Sequence, residues 1–208
     1  MKLFIQAGSG SLSPQIIANE IGIELELFNV DMAAQRYGEN EYYKVSTFSM
    51  VPALVIDDKK TLHETAVISV YLADKKPAAQ LVPYAGTFER VRVMEMLSFV
   101  TGEIHQKFIP LLPTFVNSEA KDEFRTLLSH NLTHLDKQLS DGRLYMMGGP
   151  FGVVDAYLIS IVPWVVRTKV DIEHLAHLQS YMDRLLDRPS VIKAMRDEGA
   201  NVTDWRLP

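Results

Sequence analysis

Apolar residues fall in short, strand-length runs over the first part of the chain and at helical spacing over the rest. Residues 2–6 form an apolar run of strand length, stopped by Gly8-Ser9-Gly10-Ser11. Ser13-Pro14 then predicts an N-cap with proline at the first helical position, opening a helix through Ile16 and Ile17 to Gly22. Residues 25–30 alternate charged and apolar side chains as a half-buried strand does. A polar stretch over 31–49 is expected to hold one short helix around residues 39–43. Residues 51–56 read as a strand opened by Pro52, 57–60 as a turn and 61–63 as the return strand of a hairpin. Glu64-Thr65 leads into a helix that ends before Pro77. The order fits a βαβ unit joined to a ββα unit on one mixed sheet.

Residues 78–85 contain Pro83 and little periodicity, and read as a linker. Helices are predicted beyond it over 88–108, 119–139, 151–166, 172–186 and 190–196, the third nearly all apolar and hence buried on every side. The expected organisation is an α/β domain over 1–77, the linker, and an all-α domain over 86–208.

Composition removes several function classes. The 208 residues are 47% hydrophobic, 23% charged and carry a formal charge of −5, which argues for a folded globule and against nucleic acid or an anionic membrane as partner. With no cysteine there is no disulfide, no thiolate metal site and no thiol nucleophile in the chain. No stretch approaches the roughly 18 apolar residues of a membrane span, and the opening run is too short for a signal peptide, so a soluble cytoplasmic protein is expected.

Three places carry candidate chemistry, each beside a plainer reading. Val51-Pro52 is either an edge-strand proline or, if its peptide bond is cis, a bend that leaves the Val51 main chain free to pair with an extended ligand. Glu64-Thr65 either caps a helix or grips an amino-acid head group, Glu64 holding the ammonium and the helix start and Thr65 hydroxyl holding the carboxylate. The turn at residues 8–14 lacks the glycine and lysine spacing of phosphate loops, leaving either a simple glycine turn or hydroxyls beside a positive helix end that lower a ligand thiol's pKa. His130 and His134 share a helix face but find no third ligand, so no metal site is expected.

The order of these features resembles the glutathione transferases, closest to the bacterial beta class. The likeness rests on Ser11-Leu12-Ser13-Pro14, Val51-Pro52-Ala53-Leu54, Tyr71-Leu72-Ala73-Asp74, Glu103-Ile104-His105 and Asp155-Ala156-Tyr157-Leu158, and it spans nearly the whole chain. It implies a thioredoxin-like N-terminal domain and an all-α C-terminal domain. It further implies glutathione as co-substrate, bound by Ser11, by Met50, Val51 and Pro52 of the proline loop, by Glu64 and Thr65 at the γ-glutamyl head group, and by His105. That histidine also has the reading of an ordinary helix-surface residue.

The sequence departs from the family where cysteine usually stands, at Gly10, and no tyrosine follows the first strand. Ser11, then Ser9, is the hydroxyl left to donate to the sulfur. Phe108 and Trp164 are candidates for a second-substrate pocket with core packing as the alternative, Tyr157 is read as core, and Asp155 as a structural cap behind Gly152. The expected activity is conjugation of the glutathione thiol to small hydrophobic electrophiles by a homodimer. The alternative is a non-catalytic binding or scaffold protein with the same fold.

Overall fold

The computed structural model describes residues 1–57 and 60–200. Strand β1 (Lys2–Ile5) is followed by helix α1 (Leu12–Ile21) and by β2 (Glu26–Asn29), which runs parallel to β1 with Phe4 opposite Phe28. After β3 (Arg36–Tyr37) and β4 (Asn40–Glu41), strand β5 (Ala53–Asp57) pairs antiparallel with β1, and β6 (Lys60–His63) antiparallel with β5. The sheet order is β2-β1-β5-β6, the βαβ plus ββα arrangement read from the pattern. Helix α2 (Thr65–Ala73) packs on α1. The middle of the turn joining β5 to β6, Asp58-Lys59, lies outside the described residues.

Two local expectations change. Helix α1 begins at Leu12, so Ser13 sits inside the first turn, its hydroxyl 3.0 Å from Ser69 Oγ of α2 rather than capping. Pro14 is tolerated there because first-turn N–H groups have no partner inside the helix. The helix expected around 39–43 is instead the β3–β4 ribbon, closed at Gly38 by a left-handed backbone (φ 55°), followed by one 3-10 turn at Tyr42–Lys44.

The second half is helical. Helix α3 (Phe88–Phe99) starts at Thr87, whose hydroxyl accepts from Arg90 N at 3.2 Å. It runs on through a π-helical turn at Val100–His105 into α4 (Gln106–Phe108). Helices α5 (Ser118–Leu139), α6 (Val153–Ile161), α7 (Trp164–Thr168), α8 (Ala176–Leu186) and α9 (Pro189–Asp197) follow. The helix predicted over 151–166 is broken between α6 and α7 at Pro163, which has no N–H to give a helical ladder. Every residue of α6 is buried, as its unbroken apolar run implied. Helix α1 packs on α6 and α9 as well as α2, joining the two halves through one core. Among the described residues no helix is long and apolar enough to cross a membrane.

The start of α6 shows how backbone replaces a missing side chain. Gly152 has no hydroxyl to offer, but the Val153 N–H donates to the linker carbonyl of Leu81 at 3.0 Å. A Cβ on Gly152 would lie 2.6 Å from that oxygen, so the contact excludes any larger residue. Asp155 is buried and accepts from Gly152 N and Met146 N, both at 2.8 Å, and from the Tyr181 hydroxyl at 2.5 Å. The Asp155→Ala substitution leaves three buried donors without an acceptor, and a loss of about 3 kcal/mol is expected in urea-denaturation stability.

Candidate active site

The turn between β1 and α1 is held from the helical half. Gly8 N donates to Glu198 Oε2 at 3.1 Å, just beyond α9, and Gly8 O accepts from the indole Nε1 of Trp164 at 3.1 Å. Glu198 also accepts from Gln15 Nε2 at 2.6 Å. Burial pushes its carboxyl pKa up, opposed by the hydrogen bonds from Gly8, Gln15 and Ser11.

Ser11 is fully buried on the inner side of this turn. Its hydroxyl donates to Gln6 O at 3.1 Å, lies 3.4 Å from Glu198 Oε1, and accepts from Gln6 N at 3.3 Å. A hydroxyl has one proton, and these inward acceptors claim it. The expectation that Ser11 donates to a ligand sulfur therefore gives way to a role beneath the turn. Ser9 Oγ lies 2.9 Å from Ser11 Oγ and accepts from Ser11 N, so it too is spent on the turn.

Opposite the turn stands the end of the β1–β5 ladder. The Val51–Pro52 peptide bond is cis. The register stops at Ala53, opposite Phe4, and among the described residues no main-chain hydrogen bond uses the N–H or C=O of Val51. Buried Tyr42 donates to Met50 O at 2.8 Å, while Gln35 Nε2 reaches Ser49 O at 3.3 Å, so the loop is anchored one residue before the free edge. The Met50 side chain itself is exposed.

Glu64 precedes α2 with a left-handed backbone (φ 69°), exposed and without an ion pair among the described residues. The next residue, Thr65, is buried with its hydroxyl 3.4 Å from Gly10 O. A Cβ built on Gly10 would meet Thr65 Oγ1 at 2.8 Å and His105 Cε1 at 3.3 Å. The space a cysteine would need is thus already lined by a hydroxyl and an imidazole. Turn, proline edge, Thr65 and His105 come together, while Ser11 is turned away.

His105 ends the π turn, a local widening that changes where the helix aims its side chains. Its Nδ1 is 2.8 Å from the Tyr157 hydroxyl, which lies 3.4 Å from Thr101 Oγ1. Burial, with the Arg167 cation adding, pushes the His105 pKa down to about 4, so the ring is neutral near pH 7. Burial pushes the Tyr157 phenol up to about 12, so it keeps its proton. The Tyr157 hydroxyl is closer to Nδ1 than to Thr101 Oγ1, and the tautomer in which it donates to Nδ1 carries the imidazole proton on Nε2.

The aromatic wall differs from expectation. Phe108 is 0% exposed and packs edge-on against Trp164, with ring centroids 5.9 Å apart, so it backs the wall instead of lining a pocket. Trp164 is 6% exposed, its ring edge-on to His105 and one face covered by the Arg167 guanidinium. Tyr157 is core by burial, while its hydroxyl meets His105 Nδ1. That hydroxyl, Glu198 and Arg167 escape a reading of local pattern, since each acts on a residue distant in sequence.

Known proteins carry the same organisation. Residues 11–75 match the family model for the glutathione S-transferase N-terminal domain, and 118–194 match that for the C-terminal domain. The chain is 33% identical over 200 residues to glutathione S-transferase GstA of Escherichia coli O157:H7, covering 96% of this chain and 99% of that one. A bacterial beta class glutathione S-transferase of Sphingomonas chungbukensis is 37% identical with a TM-score of 0.92, over 97% of this chain and all of that one. A sphingomonad glutathione S-transferase complexed with glutathione is 35% identical with a TM-score of 0.91 over the same shares. By both domain models and by full-length similarity, the chain belongs to the glutathione S-transferase family.

Proposed function

We propose that the protein joins the glutathione thiol to small hydrophobic electrophiles, with His105 as the group that faces the sulfur. The reading is carried by one observation, the convergence of Thr65 Oγ1 and His105 Cε1 on the place that a Cβ of residue 10 would take. The cysteinyl main chain of glutathione pairs with Val51 as an added strand, and its γ-glutamyl head group takes Glu64 and Thr65. Its sulfur then lies over Gly10, within reach of the His105 Nε2–H. The bound thiol loses its proton to solvent, the sulfur forms a bond to the electrophilic carbon, and the leaving group departs with its bonding electron pair.

Bringing a thiol pKa from about 8.5 to about 6.5 takes roughly 2.7 kcal/mol of differential stabilisation. A neutral N–H donor in a partly dry site, aided by the α1 N-terminus, is of the size to supply it. Ser11 acts through the turn, not on the sulfur. The reading places the protein in the cytoplasm, where glutathione is kept reduced. It also makes the protein a homodimer, supported by Val91 and Met94, exposed one turn apart on α3.

Purified protein with glutathione and 1-chloro-2,4-dinitrobenzene is expected to conjugate well above the buffer rate; a rate equal to buffer, whether or not calorimetry shows glutathione bound, overturns the reading. His105→Gln is expected to lower kcat/KM about 10- to 100-fold and to move the thiol limb of the pH profile upward. Because the folded His105 pKa lies near 4 and the usual value is 6.5, the unfolded chain takes the proton first. Stability is therefore expected to fall as pH drops from 6.5 toward 4, and His105→Gln to flatten that slope in denaturant titrations. Val91→Asp with Met94→Lys is expected to shift sedimentation from dimer to monomer.

A further inference from the structure

Helix α7 carries a cation that the conjugation reading leaves unused. The Arg167 guanidinium lies 4.1 Å from the centroid of the Trp164 indole, stacked on its face. The edge of that indole meets His105, with ring centroids 5.1 Å apart, and its Nε1–H holds Gly8. Turn, imidazole and guanidinium thus all meet the one indole, at its N–H, its edge and its face. No more than about 9 Å separates the imidazole centre from the guanidinium carbon, a gap that one aromatic ring bridges.

Arg90, Arg92, Arg125, Arg143 and Arg188 each hold a carboxylate, whereas Arg167, like Arg36, Arg184 and Arg196, has no Asp or Glu within ion-pair distance among the described residues. Arg167 is itself solvent-exposed, while the packing around its guanidinium pulls its pKa below the usual value. A guanidinium that faces solvent and holds no carboxylate is open to an arriving anion, and a two-point hydrogen bond to that anion is charge-assisted. Stacking covers one face of the guanidinium and leaves its in-plane N–H fork free, the geometry that binds a carboxylate at two points.

We infer that Arg167 selects electrophiles bearing a carboxylate, gripping it across one aromatic ring while the reactive carbon meets the thiol beside His105. This rests on the conjugation reading and names its acceptor class. In such an acceptor the S–C bond forms at the ring carbon, the C–Cl bond breaks, and chloride leaves with the electron pair.

The test compares 4-chloro-3-nitrobenzoate with 4-chloro-3-nitrobenzamide, which share ring, nitro and leaving group and differ in charge. Rates are normalised to the uncatalysed reaction of each with glutathione. The acid is expected to exceed the amide by about tenfold or more in kcat/KM. Arg167→Met should remove that preference by lowering the acid alone, with KM for glutathione unchanged, and Arg167→Lys should restore part of it. An acid-to-amide ratio equal in wild type and Arg167→Met overturns the inference, as does a rise in glutathione KM with both acceptors falling alike, which would assign the guanidinium to the tripeptide's own carboxylate. Should neither acceptor be turned over, the conjugation reading fails separately. Calorimetry with S-(4-carboxy-2-nitrophenyl)glutathione and its amide then decides Arg167 by the same acid-to-amide ratio.

Discussion

Both polar groups of one main-chain residue, Gly8, are held by the far end of the chain: its N–H by the Glu198 carboxylate, its C=O by the Trp164 indole. Everything in the site hangs from this grip. The turn carries Gly10 against Thr65 and His105, so its placement sets the volume left for a thiol. A carboxylate buried among apolar helices is costly unless its oxygens find donors, and Glu198 finds them in Gly8, Gln15 and Ser11, all in the α/β half. The interaction is satisfied only when the two halves are assembled, and assembly completes the site.

The loss of a thiol from this turn is accommodated by packing, not by a gap. With glycine at position 10, Thr65 Oγ1 stands at 2.8 Å from where a Cβ would be, closer than a Cβ tolerates, and His105 Cε1 at a tight 3.3 Å. The imidazole brought in is neutral because it is poorly solvated and lies near a cation, and its Nδ1 rests against the Tyr157 hydroxyl. The start of α6 follows the same rule. Gly152 lacks a capping hydroxyl, and the linker carbonyl of Leu81 comes close enough to accept from the first helical N–H, that of Val153, only because no Cβ is there.

The aromatic side of the site has a graded character. Phe108 is wholly inside and gives Trp164 a hard back, Trp164 is anchored at its N–H, and Arg167 is laid over its face. A cation–π stack of this kind fixes a guanidinium's plane without using its hydrogen-bonding edge. The wall therefore joins an apolar surface to a positive charge that holds no carboxylate among the described residues.

Local pattern determined the sheet, the hairpin on Pro52, the helix opening at Glu64-Thr65 and the buried α6. Strand alternation, helical spacing and proline each act within a few residues of themselves, so one stretch of chain is enough to read them. It also brought Val51, Thr65 and His105 forward through the likeness to glutathione transferases. What the tertiary structure alone decided is where polar atoms point. The Ser11 hydroxyl turned inward because Glu198, 187 positions away, waits beneath it. His105 Nδ1 met its partner in Tyr157, 52 positions on, and Phe108 packed edge-on against Trp164. Periodicity records which face of an element is dry, but the direction of a single proton is chosen by partners that only folding brings within 3 Å or so.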